Sequence, residues 1–122
     1  VISSGHAPRG PEDKRLPFVD AAPGMAGAET LLAMTLTLVR DGVISVERAF
    51  DLVAGAPARL LGVDAGELRE GAEADLALVD AEKPWVVDSA RMAASAGNTP
   101  FDGQPVQGRV TALWKGGMPV GD

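Results

Sequence analysis

The stretch GELREGAEADLALVD, residues 66–80, marks the point where the sequence changes from helical to strand-like patterning. Gly66 and Gly71 are turn signals. The apolar residues 76–79 follow them and predict a short strand. From this point to its end, the chain is expected to consist mainly of strands and turns.

Two further segments extend this pattern towards the C-terminus. A second short strand is predicted for WVVD, residues 85–88. In residues 108–120, GRVTALWKGGMPV, Val110, Ala112 and Trp114 alternate with Arg109, Thr111 and Leu113, and a pair of glycines follows. This pattern predicts a strand and a hairpin at a sheet edge. Residues 92–103, MAASAGNTPFDG, predict a helical turn and a loop between the strands.

Three helices are predicted upstream. The apolar residues of the first, residues 28–40, cover most of its circumference, so it is expected to be buried on more than one side. Ser45 is a candidate N-cap for the second helix, and Pro57 opens a short third helix that Gly62 closes. The apolar stripe of the second helix consists of Val46, Ala49, Phe50 and Val53.

The N-terminal region has a different character. Residues 1–4 predict a short strand, and residues 5–27 are rich in proline and glycine, without helical or strand periodicity. Ordered loops of this length often carry function. This loop also holds His6, the single histidine of the chain.

Composition restricts the class of protein. The 122 residues are 46% hydrophobic and 23% charged, with a net charge of −6, which indicates one globular domain at most and argues against nucleic-acid binding. The absence of cysteine excludes disulfides and thiolate metal sites. The apolar run 31–39 is too short to span a membrane, and no signal peptide is recognised. We expect a cytoplasmic piece of a larger protein that has no membrane partner.

Three segments together resemble a known family. They are HAPRGPEDKRLPFVDAAPGMAGAETLL (residues 6–32), GELREGAEADLALVD and NTPFDGQPVQGRV (residues 98–110). The combination resembles the C-terminal third of dihydroorotase and its cyclic-amidohydrolase relatives. The second segment is shared by many metal-dependent amidohydrolases. The other two favour dihydroorotase over allantoinase and hydantoinase.

The resemblance implies an α/β fold in two parts. Residues 1–62 would be the last strand, loop and helices of a (β/α)8 barrel, and residues 63–122 the C-terminal part of a β-sandwich built from both chain ends. Active sites of such barrels lie on the loops at the C-terminal face. The partners of the loop 5–27 would then belong to the missing N-terminal part of the same barrel.

The resemblance also implies a defect at Gly5. In the family the last strand ends in Asp-His-Ala-Pro-His, and the aspartate binds zinc and shuttles a proton, two tasks that suit a carboxylate. Gly5 occupies that position and can do neither, so no catalytic residue and no metal ligand are expected in this chain. Zinc is expected only in the full-length family. His6 matches the first histidine of the motif, but a packed or hydrogen-bonded loop residue is the favoured interpretation.

Three residues are candidates for substrate binding. Arg9 corresponds to the histidine that contacts the substrate carboxylate in the family, and an arginine can clamp a carboxylate. Pro23 and Gly24 match the turn whose backbone contacts the substrate. A plain turn is the alternative for this dipeptide, since Pro-Gly is common in turns.

Two functional hypotheses remain open. The chain is part of a dihydroorotase-like hydrolase that interconverts dihydroorotate and N-carbamoyl-aspartate in pyrimidine biosynthesis, with the fragment itself inactive. Alternatively, it belongs to a non-catalytic homologue that supports aspartate carbamoyltransferase, or to an allantoinase or hydantoinase relative. Gly5 and Arg9 favour the non-catalytic homologue, whereas the near-intact loop favours the hydrolase. The expected partners are a cyclic amide, the rest of the barrel, and a homo-oligomer or a carbamoyltransferase complex.

Overall fold

The computed structural model describes residues 1–121, which form short helices followed by a small antiparallel sheet. These residues are therefore of mixed α and β structure, as expected. Among them, no helix has the length and hydropathy that a bilayer span requires. In chain order, the elements are α1 (Pro11–Lys14), α2 (Leu31–Arg40), α3 (Val46–Phe50), a π-helical turn (Asp51–Gly55), α4 (Ala56–Leu61), β1 (Leu76–Val86), a 3-10 turn (Ser89–Arg91), β2 (Pro105–Lys115) and β3 (Met118–Pro119).

The sheet is a meander in the order β1-β2-β3, with both pairs antiparallel. The hairpin turn between β2 and β3 lies where the sequence predicts it. Gly116 and Gly117 have φ angles of 56° and 79°, and two positive φ values in a two-residue loop match the twist of the flanking strands.

The strand predicted for residues 76–79 and the first half of the strand predicted for residues 85–88 belong to a single strand, β1, which ends at Val86. Its register against β2 shifts between Asp80 and Pro84. The Asp80 carboxylate accepts hydrogen bonds from the backbone N–H groups of Glu82 and Lys83, both at 3.1 Å. These amides are thus satisfied without a ladder partner, which allows the strand to continue beyond the irregularity.

Two predicted helix caps are present in the structure, whereas the separate start predicted at Pro57 is not, because the π-helical turn joins α3 directly to α4, which begins at Ala56. The Ser45 hydroxyl accepts a hydrogen bond from the Arg48 amide at 3.1 Å, and Gly62 ends α4 with φ 67°. The first predicted helix, however, begins at Leu31 and not at residue 28. The amide of Ala28 donates to the His6 ring, so the chain before α2 is held in a turn by the loop.

The core lies between α2 and the sheet. Leu36 is buried and its side chain lies on Gly108 of β2, where an added Cβ would be 2.5 Å from the Leu36 Cδ1 atom. This contact fixes α2 against the middle of β2. The buried cluster and the residues packed around it are Ala33, Val87, Val106, Met34, Trp85, Met92 and Phe101.

The strand predicted for residues 1–4 is absent from the structure, where this segment is irregular. Its backbone makes one long-range hydrogen bond, from the Ile2 amide to the Leu52 carbonyl at 2.8 Å. A strand requires a neighbouring strand for its ladder, and none of the described strands lies beside this segment.

The loop 5–27 also contains α1, which was not predicted; Pro11 at its first position favours that helical turn.

Candidate functional site

Two strips of the N-terminal loop, one at His6 and Ala7 and the other at Gly24 and Met25, lie side by side. The Ala7 amide donates to the Met25 carbonyl at 2.8 Å, and His6 and Met25 form an isolated parallel bridge. Gly24 has φ 125°, and a Cβ there would lie 2.4 Å from the Ala7 carbonyl oxygen. Only glycine fits so close an approach without displacing the backbone.

His6 has a structural role in this arrangement. Its Nδ1 atom accepts hydrogen bonds from the amides of Gly27 and Ala28, both at 3.2 Å. A ring nitrogen that accepts these bonds has no lone pair free for a metal. The ring therefore holds the end of the loop against the start of α2, in agreement with the interpretation of His6 as a hydrogen-bonded loop residue.

Arg9 lies next to the turn formed by Pro23 and Gly24, so the structure brings the three predicted substrate-binding residues together. The Arg9 Nε atom donates to the Pro23 carbonyl at 3.3 Å. Its two terminal nitrogens have no hydrogen-bond acceptor or ion-pair partner among residues 1–121. The guanidinium is exposed, and its free edge is available to an anion.

Asn98 is a site residue that the sequence analysis missed. Its side chain accepts a hydrogen bond from the Arg9 amide at 2.7 Å and donates one to the Gly24 carbonyl at 2.9 Å. Its own carbonyl accepts from the Ala26 amide at 2.8 Å. Asn98 thus joins both strips of the loop. The available signal was its place at the head of the NTPF segment, which the sequence analysis uses as a mark of family resemblance and as a loop, without assigning a role to the asparagine.

The residues present do not form a zinc site. Gly5 has φ 56° with open space where a side chain would stand, and the Nδ1 atom of the neighbouring His6 is already bonded. Within the described part of the chain, no group of three histidine, cysteine or acidic residues is placed to hold a metal ion. A metal would require ligands from outside these residues.

A separate open groove of about 770 Å³ lies between the helices after residue 50 and β1. It shares no residue with the Arg9 site. Several charges along its rim pair within the chain: Asp51 contacts Arg48 and Arg59, both at 2.6 Å. The hydrogen bond from Arg59 holds the pKa of Asp51 below its ordinary value. A further pair joins Asp64 and Arg69.

Known proteins resemble this chain along nearly its whole length. Residues 1–120 match the Amidohydrolase family. The dihydroorotase of Anaeromyxobacter dehalogenans (strain 2CP-C) is 39% identical over 98% of this chain and 28% of its own length. The dihydroorotase of Geobacter metallireducens is 37% identical with the same coverage. The chain thus spans about 28% of the length of these relatives.

Solved structures show the same similarity. An L-hydantoinase (dihydropyrimidinase) from Arthrobacter aurescens has a TM-score of 0.79 and 34% identity, over 85% of this chain and 24% of its own. A dihydropyrimidinase from Brevibacillus agri has a TM-score of 0.86 over 94% of this chain and 26% of its own; at 24% identity, it shows a common fold alone. The chain therefore belongs to the amidohydrolase family, and within that family its sequence resembles the dihydroorotases.

Proposed function

We propose that the chain is the C-terminal portion of a cytoplasmic dihydroorotase-type enzyme. The enzyme would interconvert dihydroorotate and N-carbamoyl-aspartate in pyrimidine biosynthesis, adding water across the ring amide in one direction. The observation that carries the proposal is the free edge of the Arg9 guanidinium beside the Pro23-Gly24 turn. The identity to named dihydroorotases supports it.

In this proposal the residues of the loop bind the substrate. Dihydroorotate carries a carboxylate, and the planar fork of an arginine can donate two parallel hydrogen bonds to such a group. Pro23 already holds one nitrogen of Arg9, so the fork has a restricted orientation. The missing side chain of Gly24 allows the Ala7 backbone to pack against the turn, which keeps the turn close to Arg9.

The remainder of the catalytic apparatus would lie outside this chain. Residues 1–62 would complete a (β/α)8 barrel, and residues 63–122 would supply part of a composite β-sandwich. Residues 1–4 would become a strand only beside a neighbouring barrel strand. Zinc, which the dihydroorotase resemblance implies, would be held by residues of the rest of the barrel. The assembly would be a homo-oligomer or a complex with aspartate carbamoyltransferase.

One observation favours a second candidate function. Gly5 has no side chain at the position where the dihydroorotase resemblance implies a carboxylate, and the space around it is open. A homologue that has lost this group would be non-catalytic and would serve as a structural partner of aspartate carbamoyltransferase. An allantoinase or hydantoinase relative is a further alternative, supported by the identity to the L-hydantoinase.

The test is an assay of the full-length protein that contains these residues. Ring opening of dihydroorotate, allantoin and hydantoin is measured with zinc supplied, for the wild type and for Gly5→Asp. Preference for dihydroorotate in either form supports the dihydroorotase proposal. Preference for allantoin or hydantoin would instead support the alternative that the chain belongs to an allantoinase or hydantoinase relative. Absence of turnover in both forms, together with co-elution with aspartate carbamoyltransferase, would favour the non-catalytic homologue.

A further inference from the structure

We infer that Asn98 is a positioning residue, which fixes Arg9 relative to Gly24 so that the Arg9 guanidinium receives a carboxylate of the cyclic amide. The inference rests on the proposed function and adds to it the residue that sets the preference for an anionic substrate. Asn98 lies 89 residues from Arg9 and 74 from Gly24 in the sequence, and its side chain bonds to both.

The orientation of the Asn98 amide is determined by its partners. A backbone N–H only donates and a backbone carbonyl only accepts. The oxygen must therefore face the Arg9 amide at 2.7 Å, and the nitrogen must face the Gly24 carbonyl at 2.9 Å. A single planar group thus sets the spacing between the two strips of the loop. An alanine at this position would leave both contacts unmade.

The segment that carries Asn98 is itself held firmly. The Glu29 carboxylate accepts a hydrogen bond from the Ala93 amide at 2.9 Å, which ties the segment to the start of α2. Gly97 packs so closely on Ser89 that an added Cβ would lie 2.1 Å from the Ser89 carbonyl oxygen. Positioning groups act best from such a rigid support. Asn98 therefore connects the loop to a segment that is itself fixed to the start of α2 and to Ser89.

The placement of Asn98 restricts the position of Arg9. The backbone amide of Arg9 is held by Asn98 and its Nε atom by Pro23, whereas its two terminal nitrogens stay free. Holding a charged donor in place before the ligand arrives lowers the entropic cost of binding. A ligand without a carboxylate gains nothing from this arrangement.

The experiment compares two ligands on the full-length protein that contains residues 1–122. Dihydroorotate carries the carboxylate, and 5,6-dihydrouracil is the same ring without it. Affinities are measured by calorimetry for the wild type, Asn98→Ala and a matched control, Ser95→Ala, whose side chain is exposed in the same segment. We expect Asn98→Ala to weaken dihydroorotate binding about tenfold and dihydrouracil binding less than about twofold. Ser95→Ala should change neither.

Amide hydrogen exchange provides a second readout in the same proteins. In Asn98→Ala the Arg9 amide loses its side-chain acceptor, whereas the Ala26 amide keeps the main-chain carbonyl of residue 98. We expect faster exchange at Arg9 and unchanged exchange at Ala26. Asn98→Asp keeps an acceptor for Arg9 and loses the donor to Gly24, so the Arg9 amide should remain protected. Loss of protection there would contradict the assigned contact.

The outcomes separate the inference from the proposed function. Equal weakening of both ligands, or of neither, would overturn the positioning role even if the wild type hydrolyses dihydroorotate. Selective weakening of dihydroorotate in a protein without hydrolytic activity would support the positioning role and overturn the proposed enzyme. A wild type that does not bind dihydroorotate would overturn both.

Discussion

Replacement of Gly24 by alanine tests the close packing of the loop. Gly24 has φ 125°, and the new Cβ would lie 2.4 Å from the Ala7 carbonyl oxygen and 3.0 Å from the Ala7 Cβ. A non-glycine residue in such a conformation costs about 1–3 kcal/mol. Separation of the two strips also breaks the hydrogen bond between Ala7 and Met25, a net loss of about 0.5–1.5 kcal/mol. Together, the local destabilisation is about 1.5–4.5 kcal/mol.

Hydrogen exchange of the Ala7 amide in the full-length protein measures this effect locally. Since about 1.4 kcal/mol corresponds to a tenfold change, the exchange rate should rise at least about tenfold in Gly24→Ala. The matched control is Gly10→Ala in the same loop, where φ is −67° and the space around the new Cβ is open. It should change the rate less than about twofold. Equal effects of the two substitutions would refute the reasoning.

Three further predictions follow from the described residues. Gly5→Asp has open space for the new side chain, but φ is 56°, a conformation that costs about 1–2 kcal/mol for a non-glycine residue and that Asp and Asn adopt more readily than most. The substitution should raise dihydroorotate hydrolysis by the full-length protein about a thousandfold. Gly5→Asn, which carries the same backbone strain, is the uncharged control, and strong wild-type activity unchanged by Gly5→Asp would contradict the alignment of this position. The isolated 122-residue chain should retain no stoichiometric zinc after dialysis, and metal analysis that finds one equivalent per chain would contradict this. Because a hydrogen bond from Arg59 lowers the pKa of Asp51, the stabilisation from Asp51 should be present above the ordinary pKa of 3.8 and should be lost as the pH falls below it. The stability gap between the wild type and Asp51→Asn in denaturant titrations should therefore close at low pH, and a gap that stays constant there would contradict this.

Features set by neighbouring residues were predictable from the sequence. The Ser45 cap, the stop at Gly62 and the hairpin at Gly116 and Gly117 depend on backbone conformations and side chains within a few residues. Local signals suffice where the competing conformations are also local. The same holds for the long loop, whose proline and glycine content excludes regular structure over most of its length.

Features that depend on distant partners were not predictable. The strand predicted for residues 1–4 lacks the neighbour that its pattern assumes, and the union of two predicted strands in β1 depends on the side chain of Asp80. The predicted site residues Arg9, Pro23 and Gly24 lie together. The contact that joins Arg9 to Gly24, however, is made by the side chain of Asn98. No local pattern marks an asparagine as the partner of a loop at the other end of the chain.

The separation of 89 residues between Arg9 and Asn98 has a consequence for biosynthesis. Ribosomes add about 5–20 residues per second, so the Arg9 loop is made roughly 4–18 s before its asparagine partner. During that interval, the amides and carbonyls that Asn98 later binds remain hydrated and the two strips of the loop are free to separate. The Arg9 loop thus acquires its final form only after the sheet has begun to emerge. A nascent chain arrested before residue 98 should leave this loop open to protease.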